Sequence, residues 1–137
     1  MQAAMDEARK SIYTPTAFCV GCVLVQGDKI VATGYSRELE GNTHAEQCAL
    51  MKLPADAKDL DCYTTMEPCS ERLSGNLPCV DRLIASGRIK RVLQGVAEPA
   101  DFVACTGSTR LRDAGIEVIH IPGYEEEALA IARGEAK

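Results

Sequence analysis

The sequence predicts an α/β protein of three layers, with helices on both sides of a mixed sheet of about five strands. Two patterns lead there. Apolar spacing alternates between helical and strand periods in the order α-β-β-α-β-α-β-α-β-α. The first two strands are separated only by Gln26-Gly27-Asp28-Lys29, so they form an antiparallel hairpin; the later strands are separated by helices, whose crossovers make neighbours parallel. One domain over residues 1–137 fits this length.

Residues 1–12 place Ala4, Met5, Ala8 and Ile12 at helical spacing, and Thr14-Pro15-Thr16 breaks the helix. Residues 19–25 are apolar on both faces, as in a central strand, and residues 30–35 return beside them. Residues 37–42 are a polar loop. A helix runs from His44 to about Leu53, stopped by Pro54, with Ala45, Cys48, Ala49 and Met51 on its buried side. Residues 60–65 form a short strand that delivers Glu67-Pro68-Cys69. Pro78 suits the first turn of the next helix, which carries Val80, Leu83 and Ile84 and stops near Gly87. Residues 91–95 are a strand, 109–114 a helix closed by Gly115, and 116–119 the last strand. A helix over 125–133 has acids in its first turn, where the helix dipole favours them.

Against this frame, Thr43-His44-Ala45-Glu46, Met66-Glu67-Pro68-Cys69-Ser70 and Leu77-Pro78-Cys79 bring one imidazole, two thiols and a carboxylate to two helix starts. Zinc takes His and Cys ligands, and a catalytic site holds three of them and leaves a position for water. His44, Cys69 and Cys79 are the candidate ligands. The division of roles follows the His-x-Glu…Pro-Cys-x-x-Cys pattern of zinc base deaminases, in which the Glu, here Glu46, moves protons and does not bind the metal. This chain departs from that pattern by placing nine residues, not two, between Cys69 and Cys79. A widened loop suits a site that must reach over its metal and grip a substrate. A competing reading makes Thr43 and Glu46 a helix capping box, which would turn the carboxylate away from the metal.

Net charge is −5, and no basic run supports contacts to a nucleic-acid backbone. No stretch is long or apolar enough to span a membrane, and the first residues lack a signal-peptide pattern, so the expected location is cytoplasmic. Seven cysteines in such a chain argue against a disulfide framework; Cys19, Cys22, Cys48, Cys62 and Cys105 read as buried thiols. His120 has no partner motif and reads as structural or exposed.

His44-Ala45-Glu46, Glu67-Pro68-Cys69-Ser70 and Pro78-Cys79 resemble the cytidine-deaminase-like zinc deaminases, and within them the pyrimidine deaminases of riboflavin biosynthesis. The match extends to Val20-Gly21-Cys22-Val23, to Ala97-Glu98-Pro99 and to residues 111–118. Arg72-Leu73-Ser74-Gly75-Asn76 and Gly123-Tyr124-Glu125-Glu126-Glu127 are similar to the stand-alone fungal form. The resemblance implies the cytidine-deaminase-like fold, zinc as cofactor, a homo-oligomer with a dimer favoured, and hydrolytic deamination of a phosphorylated diaminopyrimidinone in its ribitylamino form. Candidate substrate contacts are Arg37 on the loop before the site, the Ala45 peptide N–H, Glu71 toward a ring amine, and Arg72, Ser74 and Asn76 toward phosphate. Two rivals stand beside this reading. A tRNA adenosine or other nucleobase deaminase of the same superfamily would be expected to show a basic surface and the tight Cys spacing. A non-catalytic zinc-stabilised interaction domain would have no need of Glu46.

Overall fold

A computed structural model of the protein describes residues 1–15, 17–39, 43–69, 78–97 and 107–135. In chain order the elements are α1 (Gln2–Ala8), β1 (Gly21–Gln26), β2 (Lys29–Tyr35), α2 (Ala45–Met51), β3 (Leu60–Met66), α3 (Cys79–Ser86), β4 (Ile89–Val96), α4 (Gly107–Asp113), β5 (Glu117–His120) and α5 (Glu125–Ala132). The order read from the sequence holds throughout, with ends moved by a few residues. The largest change is in α1, expected to reach Ile12. It closes early because Lys10 and Ser11 bond back only three residues, to Glu7 O and Ala8 O, which tightens the last turn. The Ser11 hydroxyl then donates to Ser36 O at 2.8 Å, and Ile12 is left 80% exposed.

The five strands form one sheet in the order β2-β1-β3-β4-β5. Strand β1 lies antiparallel to both β2 and β3, while β3, β4 and β5 run parallel. One row of the register crosses the sheet through Gly34, Cys22, Thr64, Gln94 and His120. Helices α2, α3 and α4 cover one face, packing Ala45, Ala49, Val80, Leu83 and Leu111 on Cys22, Leu24, Cys62, Val92 and Val118. On the other face Met5 and Ala8 of α1 pack with Ala128 and Ile131 of α5. No helix among the described residues is long and apolar enough to cross a membrane.

Two glycines of the hairpin let a helix backbone approach each face. A Cβ at Gly21 would fall 1.9 Å from Ala4 O, and one at Gly34 would fall 2.2 Å from Ala45 O and 2.7 Å from Ala49 N. Gly34 therefore sets how deeply α2 is seated. Gly34→Ala is expected to cost about 1–3 kcal/mol, the usual penalty for overpacking a filled interior. Urea unfolding measures it, and an unchanged midpoint would show that α2 can retreat freely.

Candidate metal and acid–base site

Helix α2 opens on His44, whose extended backbone (φ −94°, ψ 161°) is that of an N-cap residue. The competing capping box on Thr43 and Glu46 does not form. The Thr43 hydroxyl donates to Leu39 O at 2.9 Å and accepts from Leu39 N–H at 3.2 Å. Because the helix begins one residue later than that box requires, Gln47 is the third helical residue, and its Oε1 accepts from the His44 N–H at 3.4 Å. Glu46 is thereby released from capping. It turns inward to 3% exposure, with Oε2 3.4 Å from the Thr64 hydroxyl, which itself donates to Met66 O at 2.8 Å.

The sulfurs arrive from the next strand–helix unit. Pro78, expected inside the first turn of α3, is its N-cap (φ −62°, ψ 153°), and Cys79 is the first helical residue. The Cys79 N–H donates to Cys69 Sγ at 3.3 Å, and the Val80 N–H donates to Cys69 O at 3.0 Å. Unpaired N–H groups at a helix start favour negative charge, so this placement supports a thiolate.

His44 Nδ1 lies 3.5 Å from Cys69 Sγ and 3.3 Å from Cys79 Sγ, and the three donor atoms lie within 4.8 Å of one another. Zn–S and Zn–N bonds of about 2.3 and 2.0 Å in a tetrahedral shell separate S from N by about 3.5 Å. The donor set and its spacing therefore fit zinc.

The Cys69 thiol is lowered to about 4, chiefly by its hydrogen bond with Cys79, then by His44, against the upward push of burial. Burial pushes Glu46 up to about 7; the Cys69 charge adds to the rise and His44 opposes it. A carboxyl group titrating near neutrality suits a general base.

These shifts predict a pH signature for the metal-free protein. Glu46, raised from 4.5, contributes stability that is present below its unfolded value and lost as pH rises through 7. Cys69, depressed from 9.0, contributes stability that is present at high pH and lost as pH falls toward 4. Between about pH 5 and 6.5 folding then takes up one proton at Glu46 and releases one from Cys69, so the two slopes cancel. Glu46→Gln removes one of them, and stability should then rise by about 1.4 kcal/mol per pH unit across that window. Urea unfolding of chelator-treated protein at pH 5 and 6 reads the difference, and equal slopes in wild type and variant would overturn it.

The remaining sequence candidates are placed as follows. Ala45 is the buried first residue of α2. Arg37 has a left-handed backbone (φ 62°), and its guanidinium donates to Phe18 O, Ser11 Oγ and Ile12 O at 3.2, 3.0 and 2.9 Å. It is thus held by the segment before β1 and is not part of the metal-binding cluster. Glu71, Arg72, Ser74 and Asn76 lie outside the described residues, as does Cys105. Cys19, Cys22, Cys48 and Cys62 are buried free thiols, with Cys22 and Cys62 sulfurs 3.6 Å apart. His120 is paired with Glu125 at the surface.

Sequence reasoning missed Thr64 and Ser108. The Ser108 N–H and hydroxyl donate to Glu67 Oε2 at 3.2 and 3.1 Å. Nothing in the spacing marks Thr64, since hydroxyls are common in strands; Glu67 stands in a motif, but its partner comes from a helix 41 residues away.

The model for the cytidine and deoxycytidylate deaminase zinc-binding region matches residues 1–96. A protein of Schizosaccharomyces pombe named diaminohydroxyphosphoribosylamino-pyrimidine deaminase is 47% identical over an alignment of 134 positions that covers 94% of this chain and 33% of that one. The crystal structure of Aspergillus oryzae Rib2 deaminase in complex with DARIPP superimposes with a TM-score of 0.85 at 37% identity, covering 99% of this chain and 89% of the other. That of a Thermotoga maritima deaminase/reductase gives 0.83 at 32% identity, covering 98% of this chain and 38% of the other. The chain spans about a quarter to a third of the length of the curated relatives it matches.

Proposed function

The chain belongs to the cytidine and deoxycytidylate deaminase family, and from that premise we propose that it hydrolytically deaminates a phosphorylated diaminopyrimidinone, in the ribitylamino form, as a step of riboflavin biosynthesis. The observation that carries this is the cluster of His44, Cys69 and Cys79 with a buried carboxyl, Glu46, two residues along the same helix from the imidazole. The similarity to the fungal deaminases supports the substrate class.

His44, Cys69 and Cys79 would hold zinc, which when bound would supply a water acidic enough to lose a proton near neutral pH. Glu46 would take one proton as the water oxygen bonds to the amine-bearing ring carbon and pass it to the ring nitrogen. It would then take the second proton from the new hydroxyl and pass it to the amine, which leaves as ammonia while the carbonyl forms. Its burial and its neighbour Thr64 hold the carboxyl in one place for both transfers. The Ala45 peptide N–H, at the first position of α2, has no partner within its own helix and is available to a substrate oxygen. Glu71 would meet a ring amine. A homodimer is the assembly that goes with this reading, and a light-scattering mass of one chain would remove it.

The test is ammonia release by the zinc-loaded chain from the ribitylamino and ribosylamino forms of the substrate, with tRNA as a third arm. Release that is faster from the ribitylamino form supports the reading, and release only from tRNA replaces it. The phosphate is assigned to Arg72, Ser74 and Asn76. One charge-assisted hydrogen bond contributes about 1.5–3 kcal/mol, so Arg72→Ala should lower kcat/KM about ten- to a hundred-fold on the phosphorylated substrate. It should change little on the dephosphorylated one, and an equal loss on both would return Arg72 to a loop-shaping role.

A further inference from the structure

Helix α4 supplies no donor to the metal-binding cluster, yet it bonds to both cysteine arms at matching offsets. Two residues before Cys69, the Glu67 carboxylate accepts from the Ser108 N–H and from its hydroxyl. Two residues after Cys79, the Asp81 carboxylate accepts from Arg110. Ser108 and Arg110 are themselves two residues apart on α4. We propose that α4 is a positioning element for the two thiolates, setting the gap between them through the Glu67–Ser108 and Asp81–Arg110 pairs.

The Cys69 arm is also held by backbone donors: Glu67 N–H to Val96 O at 2.8 Å, Val80 N–H to Cys69 O at 3.0 Å and Cys79 N–H to Cys69 Sγ at 3.3 Å. These tie the arm to β4 and to the start of α3. The Glu67 carboxylate adds a further point, on a different helix. On the Cys79 side, α3 packs on the sheet through Val80 and Leu83, and the Asp81–Arg110 contact adds a directional, charge-assisted bond to that packing. Both pairs bond on α4, so displacing one shifts the element that holds the other. Partners beyond the ligands commonly change metal affinity about ten- to a hundred-fold when removed, because a ligand that wanders must be brought back into place on binding. The inference rests on the reading that His44, Cys69 and Cys79 hold zinc.

The experiment is a zinc-affinity titration by chelator competition, with the absorption spectrum of the cobalt-substituted protein as a second readout. The wild type comes first: failure to take up about one zinc per chain would sink the metal-site reading itself, whatever α4 does. Given uptake, Glu67→Ala and Ser108→Ala should each weaken zinc binding about ten- to a hundred-fold and alter the cobalt spectrum. The double variant should be no worse than either single one, since both remove the same contact. Glu67→Gln should stay within a few-fold of wild type, because its amide oxygen still accepts from Ser108. Arg110→Gln should weaken binding less, its pair being partly exposed. Arg91→Gln is the control: it breaks the two-point pair with Asp61 at 2.8 and 2.6 Å, away from the cluster, and should change stability but neither affinity nor spectrum. Affinities and spectra of Glu67→Ala and Ser108→Ala that match wild type would overturn the proposal, as would an Arg91→Gln loss equal to theirs. Should Glu67→Ala not fold, Ser108→Ala alone decides.

Discussion

Glu46→Gln should keep the fold and the bound zinc and lower turnover by about a hundred- to ten-thousand-fold, the usual contribution of a general acid–base group. The geometry makes this substitution unusually clean. Glu46 is not among the three donors, so the metal keeps all its ligands. It does not cap α2 either, since Gln47 performs that task, so the helix start is untouched. Gln has the same shape and can still meet the Thr64 hydroxyl. What it lacks is the ability to take a proton and give it back. Zinc content by elemental analysis, circular dichroism and ammonia release measured together make the comparison. Near-normal turnover with zinc present would mean that the proton moves elsewhere and that Glu46 is a buried structural acid.

Cys79→Ala, the second large effect, should remove the metal from a chain expected to bind about one zinc. Cys79 is fully buried, so no surface group can swing into its place, and its sulfur is the one nearer the imidazole. Binding of zinc to the folded state alone stabilises it by about 2.7 kcal/mol when free metal stands a hundredfold above the dissociation constant. The wild type should therefore melt at a higher temperature when zinc is added, while Cys79→Ala shows little response. If the variant retained its zinc, another residue would have to be the third ligand.

The element order and the metal-binding residues were readable because each left a local mark: a change of hydrophobic period, a proline or glycine at a break, a His or Cys beside a helix start. The capping of α2 was left with two readings for an instructive reason. Thr43-x-x-Glu46 fits the capping pattern better than His44-x-x-Gln47 does, and the loop bonds between Thr43 and Leu39 take Thr43 out of that role. Arg37, read as a substrate contact on the loop before the site, donates to three carbonyl and hydroxyl groups of the segment before β1, whose nearness the sequence does not record. The pairing of Glu67 with Ser108 was hidden in the same way, by distance along the chain.

The three donors are brought together by contacts 25 and 35 residues apart in sequence, between one helix start beside a hairpin and another beyond a parallel crossover. This has a consequence for the order of assembly. The β1–β2 hairpin closes over a turn of two residues, whereas His44 meets Cys79 only once β3 has been laid against β1 and α3 has crossed back over the sheet. Closing such loops costs entropy before any contact returns it. A metal held by all three donors would therefore rest on β3 paired to β1 and would lock the docking of α3. Chelation on this view frees α3 and its neighbours first and leaves the hairpin, with a helix pressed on each of its faces, as the last part to open.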